Sequence, residues 1–188
     1  MGVESGRRGG GVNRITLPCV TLDNLMQIAE WRSRQPEILR NPKPLTREDQ
    51  EKYLEYLISE DLKRFSEETH MWGIKDGDRF IAWGGFTHIT WGEGHAKWSE
   101  LSFICDPDYE DYEAAFRFYL RSATDLWFSK PYWNGVGLFS VTYDLPSRQD
   151  HIRILGEYLK PRMGKNVGKT WVITHAITKD EYKGEHNV

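Results

Sequence analysis

The sequence has little cysteine, no long apolar run and no strong basic bias. Its only two cysteines, Cys19 and Cys105, stand at unrelated positions among 188 residues. Two isolated thiols make neither a disulfide framework nor a zinc site, so we interpret both as reduced and structural. No apolar stretch is long enough to span a bilayer, and the net charge of -3 disfavours extensive nucleic-acid binding. We therefore expect a soluble, cytoplasmic protein with no membrane partner.

Metal and nucleotide motifs are also missing. The six histidines are scattered, without a spacing that places two of them on one helical face. Residues 165–169 contain two lysines and a glycine, but they lack the glycines and the strand-to-helix context of a phosphate-binding loop. The sequence thus predicts no metal and no nucleotide fingerprint of these kinds.

The composition is that of one globular domain. Hydrophobic residues make up 39% of the chain and charged residues 28%, with eight tryptophans. Residues 1–11 are rich in glycine and lack an apolar core, so we expect a flexible N-terminal arm. No repeat or linker divides the remainder, and we expect residues 12–188 to form a single domain.

Hydrophobic periodicity predicts six strands and four helices. Asp23 and Thr46 are the candidate caps of the first two helices. An Asp-Gly-Asp turn at 76–78 predicts a hairpin between the second and third strands. The predicted strands are 12–20, 69–75, 79–89, 97–105, 137–143 and 170–177, and the later helices are 112–128 and 146–159.

The order of these elements predicts an α/β fold with a mixed, mostly antiparallel sheet flanked by helices. A helix between the fourth and fifth strands implies a parallel crossover, because parallel neighbours need a long connection. Few small folds combine three antiparallel strands with such a crossover.

Several segments between Ile15 and Tyr182 form a pattern by their order and spacing. They are Trp-Arg-Ser at 31–33, Glu-Ile-Leu-Arg at 37–40, Pro-Leu-Thr at 44–46 with Gln50, 82–89, 99–104 and 174–182. Together they resemble the GCN5-related N-acetyltransferase (GNAT) superfamily, most closely the branch that acetylates ribosomal-protein N-termini and amino sugars.

This resemblance implies a sheet that splays between strands 4 and 5, with a bulge in the fourth strand. Backbone groups left free there would pair with the pantetheine arm of acetyl-CoA, the implied co-substrate. By position, the edge of the cleft is formed by Ser102, Phe103, Ile104 and Cys105.

One loop departs from the pattern of the family. The family places Arg/Gln-x-x-Gly-x-Gly/Ala at the start of the next helix, where backbone amides surround the CoA diphosphate. Here Glu110 stands at the basic position, and Asp111 and Glu113 stand at the glycine positions. Tyr112 and Ala114 are kept as candidate cofactor-binding residues of this loop.

The acidic loop leaves two alternatives open for the donor, because like charges disfavour a bound diphosphate. Either CoA binds by its pantetheine arm with an altered diphosphate site, or the protein uses another donor. The candidate residues for compensating this negative charge are Arg148, Arg153, Lys165 and Lys169.

Glu100 is the candidate general base of an N-acyl transfer. It precedes an apolar run on the fourth strand, where burial raises the proton affinity of a carboxylate. The alternative is an ion pair with Lys97 or with a neighbouring strand. By resemblance to the family, Tyr158 is the candidate acid for the leaving thiolate, and Tyr143 is a weaker candidate. The alternative for Tyr158 is a packed residue on an amphipathic helix.

The acceptor side is predicted around the first loop between helices. Trp31, Arg32 and Arg40 flank this loop, which in the GNAT superfamily contributes to the acceptor pocket. Either arginine would suit an anionic acceptor, or would form helix ion pairs with nearby glutamates. His88 alternates with neighbours on the third strand and points either into the acceptor cleft or to solvent.

Three functions follow from these observations. The first is an N-acyltransferase that moves an acetyl or related group from a CoA thioester to a primary amine of a small molecule or peptide. The second is a Mom-like phage enzyme that modifies a nucleic-acid base with a non-standard donor, for which the aromatic residues would stack a flipped base. The third is a non-catalytic binding module. The oligomeric state is not predicted.

Overall fold

The computed structural model of the chain describes residues 12–15, 20–40, 42–62, 69–92, 95–129, 135–167 and 170–186. The predicted N-terminal arm at residues 1–11, Cys19 and Lys169 lie outside the described residues. Among the helices that are described, none is long and apolar enough to cross a membrane.

The described residues form seven strands and five α-helices. The strands are β1 (Val12–Ile15), β2 (Thr69–Asp76), β3 (Arg79–Gly92), β4 (His95–Cys105), β5 (Gly137–Tyr143), β6 (Lys160–Val167) and β7 (Thr170–Thr178). The helices are α1 (Leu22–Arg34), α2 (Arg47–Leu62), α3 (Tyr112–Ser129), α4 (Gln149–Tyr158) and α5 (Lys179–His186). Short 3-10 helices cover Pro36–Ile38 and Pro146–Arg148.

All seven strands belong to one sheet, in the order β1-β2-β3-β4-β5-β7-β6. Neighbouring strands are antiparallel except β4 and β5, which are parallel and are connected through α3. The predicted mixed, mostly antiparallel sheet with one parallel crossover is therefore confirmed.

The strand that the sequence pattern missed is β6. It pairs only with β7 and is exposed at every position except Gly164, which is partly buried. A strand without a buried face has no apolar alternation to reveal it. Pro161 also reads as a strand breaker, although a proline is tolerated where the strand edge faces solvent.

The first two helices begin with capping boxes. Thr21, and not the predicted Asp23, caps α1: its hydroxyl accepts from the Asn24 amide at 3.3 Å, and the Asn24 side chain accepts from the Thr21 amide at 3.1 Å. Thr46 caps α2 as predicted, because the Asp49 amide donates to its hydroxyl at 3.1 Å. Such caps satisfy backbone donors that the first turn of a helix leaves open.

Two apolar clusters cover the two faces of the sheet. Side chains on neighbouring positions of a strand point to opposite faces. Trp72 accordingly packs in the cluster under α3 and α4, whereas Met71 packs in the cluster under α1 and α2. Phe116 and Tyr119 of α3 are almost fully buried in the first cluster. The helices α3 and α4 thus pack on one face of the sheet, and α1 and α2 pack on the other.

Candidate functional site

The sheet opens between β4 and β5. The two parallel strands pair only at Trp98–Gly137, Ser99–Leu138 and Glu100–Phe139. Beyond Glu100, β4 continues to pair with β3, and β5 continues to pair with β7. The facing edges of 101–105 and 140–143 therefore have no strand partner among the described residues, and the predicted splay between strands 4 and 5 is confirmed.

This opening, which we call the wedge, belongs to a cavity of about 550 Å³. That volume lies in the range of small-molecule and cofactor sites. Both open edges line it: β4 contributes Ser102, Phe103 and Ile104, and β5 contributes 140–142. The remaining lining comes from β2, β3, the helices α1, α2, α3 and α4, the loop between α1 and α2, and the short 3-10 helix before α4.

Glu100 lies at the closed end of the wedge. Its side chain is only 10% exposed, and its carboxylate is contacted by the guanidinium of Arg40, with Nη1 3.0 Å from Oε2 and a second contact from Nη2 to Oε1. Arg40 itself is half exposed, in the loop after the first 3-10 helix. The ion pair that the sequence left as an alternative exists, but with Arg40 and not with Lys97.

His88 is the third member of this group. Its Nδ1 lies 3.3 Å from Glu100 Oε2, and its side chain is 74% exposed at the rim of the cavity. Its φ is 53°, a left-handed conformation that is uncommon for residues with a side chain. The register between β3 and β4 shifts twice: β3 has an extra residue between Thr87 and Thr90, and β4 has one, Lys97, between Ala96 and Trp98. The fourth strand thus carries an irregularity as expected, and the one in the third strand turns His88 toward the carboxylate.

Arg32 and Trp31 are neighbours in α1, but their side chains point in different directions. Arg32 lines the cavity, and burial lowers its pKa while the nearby Tyr53 opposes that shift. Trp31 is 5% exposed and stacks on Phe80, with ring centroids 5.3 Å apart. Adjacent helical residues point about 100° apart, so only one of the two reaches the cavity. The structure therefore places Trp31 in the core and outside the cavity lining.

Tyr158 also lies away from the cavity. It is half buried on α4 and its hydroxyl contacts Arg117 of α3. It is not among the residues that line the wedge, whereas Leu155, one turn earlier, is. The helix thus turns Tyr158 toward the α3–α4 contact, which does not support the predicted role as acid for the thiolate.

Arg148 and His151 line the cavity near the open ends of β4 and β5. The His151 ring stacks on Phe116 at 4.1 Å, and its Nδ1 shares a hydrogen bond of 2.5 Å with the hydroxyl of Tyr112. Burial, followed by the neighbouring Arg148, holds the pKa of His151 well below its usual range. The imidazole is therefore neutral at physiological pH, and burial likewise raises the pKa of Tyr112.

The Arg148 guanidinium is itself taken out of water. Burial lowers its pKa, and the nearby Tyr112 opposes that shift. No carboxylate of the described residues lies within ion-pair distance of Arg148; Glu37 acts on it only as a more distant charge. A cation buried in this manner favours an anionic partner.

Backbone amides at the start of α3 are already hydrogen-bonded within the protein. The Asp111 carboxylate accepts from the Ala114 amide at 3.1 Å, and the Asp111 carbonyl accepts from the Ala115 amide at 3.2 Å. The amide of Ala114, a candidate for cofactor binding, is therefore already occupied. Tyr112 faces Arg148 and His151 instead of the helix start.

Two carboxylates of the acidic loop are neutralised by arginines. Asp106 pairs with Arg79 at 2.7 Å, and Asp108 forms a bidentate pair with Arg34 at 2.6 and 2.7 Å. These contacts tie the loop to α1 and β3. A ligand at the helix start therefore meets less uncompensated negative charge than the sequence indicates.

The third paired carboxylate, Glu113, belongs to a network between α3 and α4. Its oxygens lie 2.9 Å from Arg117 and 2.9 Å from Arg153, and both arginines also contact Glu157. The pKa of Glu113 is lowered first by Arg117 and then by Arg153. Arg153 is thus engaged in this network and does not face the wedge.

Cys105, the last predicted edge residue, is buried at the end of β4. Its thiol donates to the carbonyl of Ile81 at 3.3 Å, and burial raises its pKa to about 12. A thiol of that kind is a poor nucleophile, because the thiolate is the reactive form. Cys105 does not line the cavity, in contrast to Ser102, Phe103 and Ile104.

Two cavity residues carried only a weak signal in the sequence. Tyr53 and Tyr119 lie on the apolar faces of α2 and α3, so their spacing identifies them as core residues and not as site residues. Burial raises the pKa of both, and the Tyr119 hydroxyl donates to the carbonyl of Gly85 at 3.0 Å. In the described part of the chain, no group of three or more His, Cys, Asp or Glu side chains is arranged to hold a metal ion.

Comparison with known proteins gives the fold a name. No model of a known protein family matches the sequence, and no curated protein matches it. Solved acetyltransferases do match the structure. A spermidine N-acetyltransferase from Vibrio cholerae, in complex with CoA and spermine, superposes with a TM-score of 0.68 at 11% identity, over 91% of this chain and 97% of that one.

Two further acetyltransferases are similar to the same extent. A ribosomal-protein-S5-alanine acetyltransferase from Vibrio fischeri has a TM-score of 0.66 at 16% identity, over 92% of this chain and 94% of that one. An aminoglycoside acetyltransferase, in complex with coenzyme A and kanamycin, has a TM-score of 0.66 at 14% identity, over 95% and 100%. The chain therefore has the GNAT fold; at these identities the likeness carries the fold and not the activity.

Proposed function

We propose that the protein is an N-acyltransferase that moves an acetyl or related acyl group from a coenzyme A thioester to a primary amine. The observation that carries this proposal is the wedge: β4 and β5 stop pairing at Glu100–Phe139, and their open edges line a cavity of about 550 Å³. Backbone N–H and C=O groups left without partners favour a ligand that carries amides. A pantetheine arm has two amides and fits such an edge.

Support also comes from the solved structures of the same fold. The three acetyltransferases named above act on amines, and two of them were solved with coenzyme A and an amine-bearing acceptor. Fold alone does not assign a reaction. The proposal therefore depends on the combination of the wedge with the carboxylate at its closed end.

The acceptor amine is proposed to bind beside Glu100. The carboxylate is buried in the cavity wall, with Arg40 and His88 on its oxygens. An ammonium group is attracted to this carboxylate, which then accepts the proton of the amine as general base. Arg32, on the same cavity wall, provides a cation for an anionic group of the acceptor.

The reaction balances with these groups. The neutral amine nitrogen bonds to the thioester carbonyl carbon, and its proton passes to Glu100. The carbon–sulfur bond then breaks, and the thiolate leaves with the electron pair and takes up the proton that Glu100 accepted, which regenerates the carboxylate. The products are an amide and the free thiol of coenzyme A.

The direct test combines binding with turnover. We expect acetyl-CoA to raise the melting temperature, because a ligand at about 100 times its Kd stabilises the folded state by about 2.7 kcal/mol. Thiol release from acetyl-CoA should depend on an added amine, tested with spermidine, kanamycin and a peptide with a free N-terminus. The absence of both a thermal shift and amine-dependent thiol release at saturating acetyl-CoA would contradict the proposal.

The same experiment separates the two alternatives. A thermal shift without thiol release from any amine would favour a non-catalytic binding module. Absence of both, together with salt-sensitive DNA binding, would favour the enzyme that modifies a nucleic-acid base. The capped start of α3 is the observation that keeps a non-standard donor under test.

A further inference from the structure

The open end of the wedge carries a half-buried cation, Arg148, which has no carboxylate within ion-pair distance among the described residues. Both β4 and β5 run from the Glu100–Phe139 pair toward this end, and Tyr112 and Arg148 follow the two strands in the chain. Arg148 lines the cavity here, as does His151, to which the Tyr112 hydroxyl is hydrogen-bonded at 2.5 Å. A guanidinium stays charged in proteins, so its burial costs free energy unless an anion accompanies it.

Two other arginines show the contrast, because each has a carboxylate partner. Arg40, which also lines the cavity, contacts Glu100, and Arg153, outside the cavity, contacts Glu113 and Asp150. Arg148 lies within ion-pair distance of no carboxylate in the described ranges. Tyr112, which interacts electrostatically with Arg148, is itself hydrogen-bonded to the buried His151.

The usual place for an anion at this end is already taken. A helix start binds phosphate through free backbone amides, but the Asp111 carboxylate accepts from the Ala114 amide at 3.1 Å. Asp111 also places a negative charge where a phosphate would sit. An anion that enters the wedge therefore finds its attractive group on the α4 side and not at α3.

We propose that Arg148, and not the start of α3, binds the phosphate-bearing end of the donor at the mouth of the wedge. This inference rests on the proposed function, since it names the contact that a coenzyme A donor makes. The guanidinium offers two parallel N–H donors to a phosphate, and Tyr112 and His151 position it. The pantetheine arm would then extend along β4 toward Glu100, over roughly 17 Å at about 3.3 Å per residue.

The test compares coenzyme A with pantetheine, which has the same arm and no phosphate. Calorimetric titration of the full chain should give at least tenfold weaker binding of coenzyme A to Arg148→Gln, and less than a twofold change for pantetheine. Arg153→Gln is the matched control: it removes the same charge from α4 outside the cavity and should leave both affinities within twofold.

Two further variants protect the test against misfolding. Arg148→Lys keeps the charge but loses the two-pronged geometry, and should weaken coenzyme A binding by an intermediate factor. Tyr112→Phe removes the hydroxyl that interacts with Arg148. This variant should weaken coenzyme A binding several-fold and leave the affinity for pantetheine unchanged. Melting temperatures without ligand show which variants are folded.

The outcomes separate the two proposals. Equal affinity of folded Arg148→Gln and wild type for coenzyme A overturns the role of Arg148 and leaves the proposed function standing. If wild type binds pantetheine as tightly as coenzyme A, the role of Arg148 is likewise overturned and the proposed function likewise stands. If wild type binds neither compound, both the inference and the proposed function are overturned.

Discussion

The two ends of the wedge carry opposite charges in opposite settings. At the closed end, a buried carboxylate, Glu100, is covered by the half-exposed Arg40. At the open end, a half-buried guanidinium, Arg148, lies near Tyr112 and has no carboxylate within ion-pair distance among the described residues. One end is thus suited to a cationic amine and the other to an anionic donor group, which gives the cavity a direction.

The charge at the closed end gives the largest expected effect. We expect Glu100→Gln to lower turnover at least tenfold, equivalent to about 1.4 kcal/mol in the barrier, because the amide cannot accept the proton of the amine. Amine-dependent thiol release measures this loss, and circular dichroism shows whether the variant is folded. Glu55→Gln on the exposed face of α2 should keep wild-type turnover. Unchanged turnover in folded Glu100→Gln would remove Glu100 from the mechanism.

The cation that covers this carboxylate should matter for stability. Arg40→Gln leaves a nearly buried carboxylate with only His88 beside it, so we expect a loss of about 1–2 kcal/mol in the free energy of unfolding. Urea denaturation measures it. The double variant with Glu100→Gln should lose less than the sum of the single losses, since both partners of the pair are then uncharged. Additive losses in the free energy of unfolding would mean that the Arg40–Glu100 pair contributes nothing to stability.

The start of α3 tests the open end from the other side. Asp111→Ala should cost about 1 kcal/mol of stability, because the amide of Ala114 loses its cap. Asp111→Ser should retain most of the cap while removing the charge. We expect Asp111→Ser to change coenzyme A affinity by less than threefold in calorimetry. An increase of tenfold or more would place the phosphate at α3 and contradict the contrast drawn between the two ends.

A surface carboxylate far from both ends gives the smallest expected effect. The Thr178 amide, followed by Arg162, lowers the pKa of Glu181 to about 2 from an ordinary 4.5. A lowered pKa adds stability above about pH 4.5 that is lost as the pH falls toward 2. Glu181→Gln should therefore be less stable than wild type at pH 7, by under about 1 kcal/mol for so open a pair. Thermal melts should show this gap shrinking below pH 4.5; a constant gap would contradict the linkage.

Much of the fold was open to prediction because it is periodic. Alternation in β2 to β5 and helical spacing in α3 reflect burial on one face, and burial leaves a pattern in the sequence. The parallel crossover followed from the order of elements, and so did the resemblance that implied a splay. Strand β6 was missed because no face of it is buried.

The candidate site was predicted less well, because side-chain direction depends on a single residue step. Trp31 and Arg32 are neighbours, yet only Arg32 lines the cavity. Tyr158 turns to Arg117, whereas Arg148, named only as a source of charge, lines the wedge. The catalytic and binding roles of these residues stay predictions.

The sequence by itself determined the sheet, its crossover and the acidic residues at the start of α3, because hydrophobic period and charge are properties of the chain read in order. Only the tertiary structure decided which arginine meets which carboxylate, as with Arg40 and Glu100, sixty residues apart. Such pairs form where distant segments converge, and the energy of a buried charge depends on everything packed around it. The negative charge of the loop before α3 was therefore predictable from the sequence, whereas its neutralisation by Arg34 and Arg79 was not.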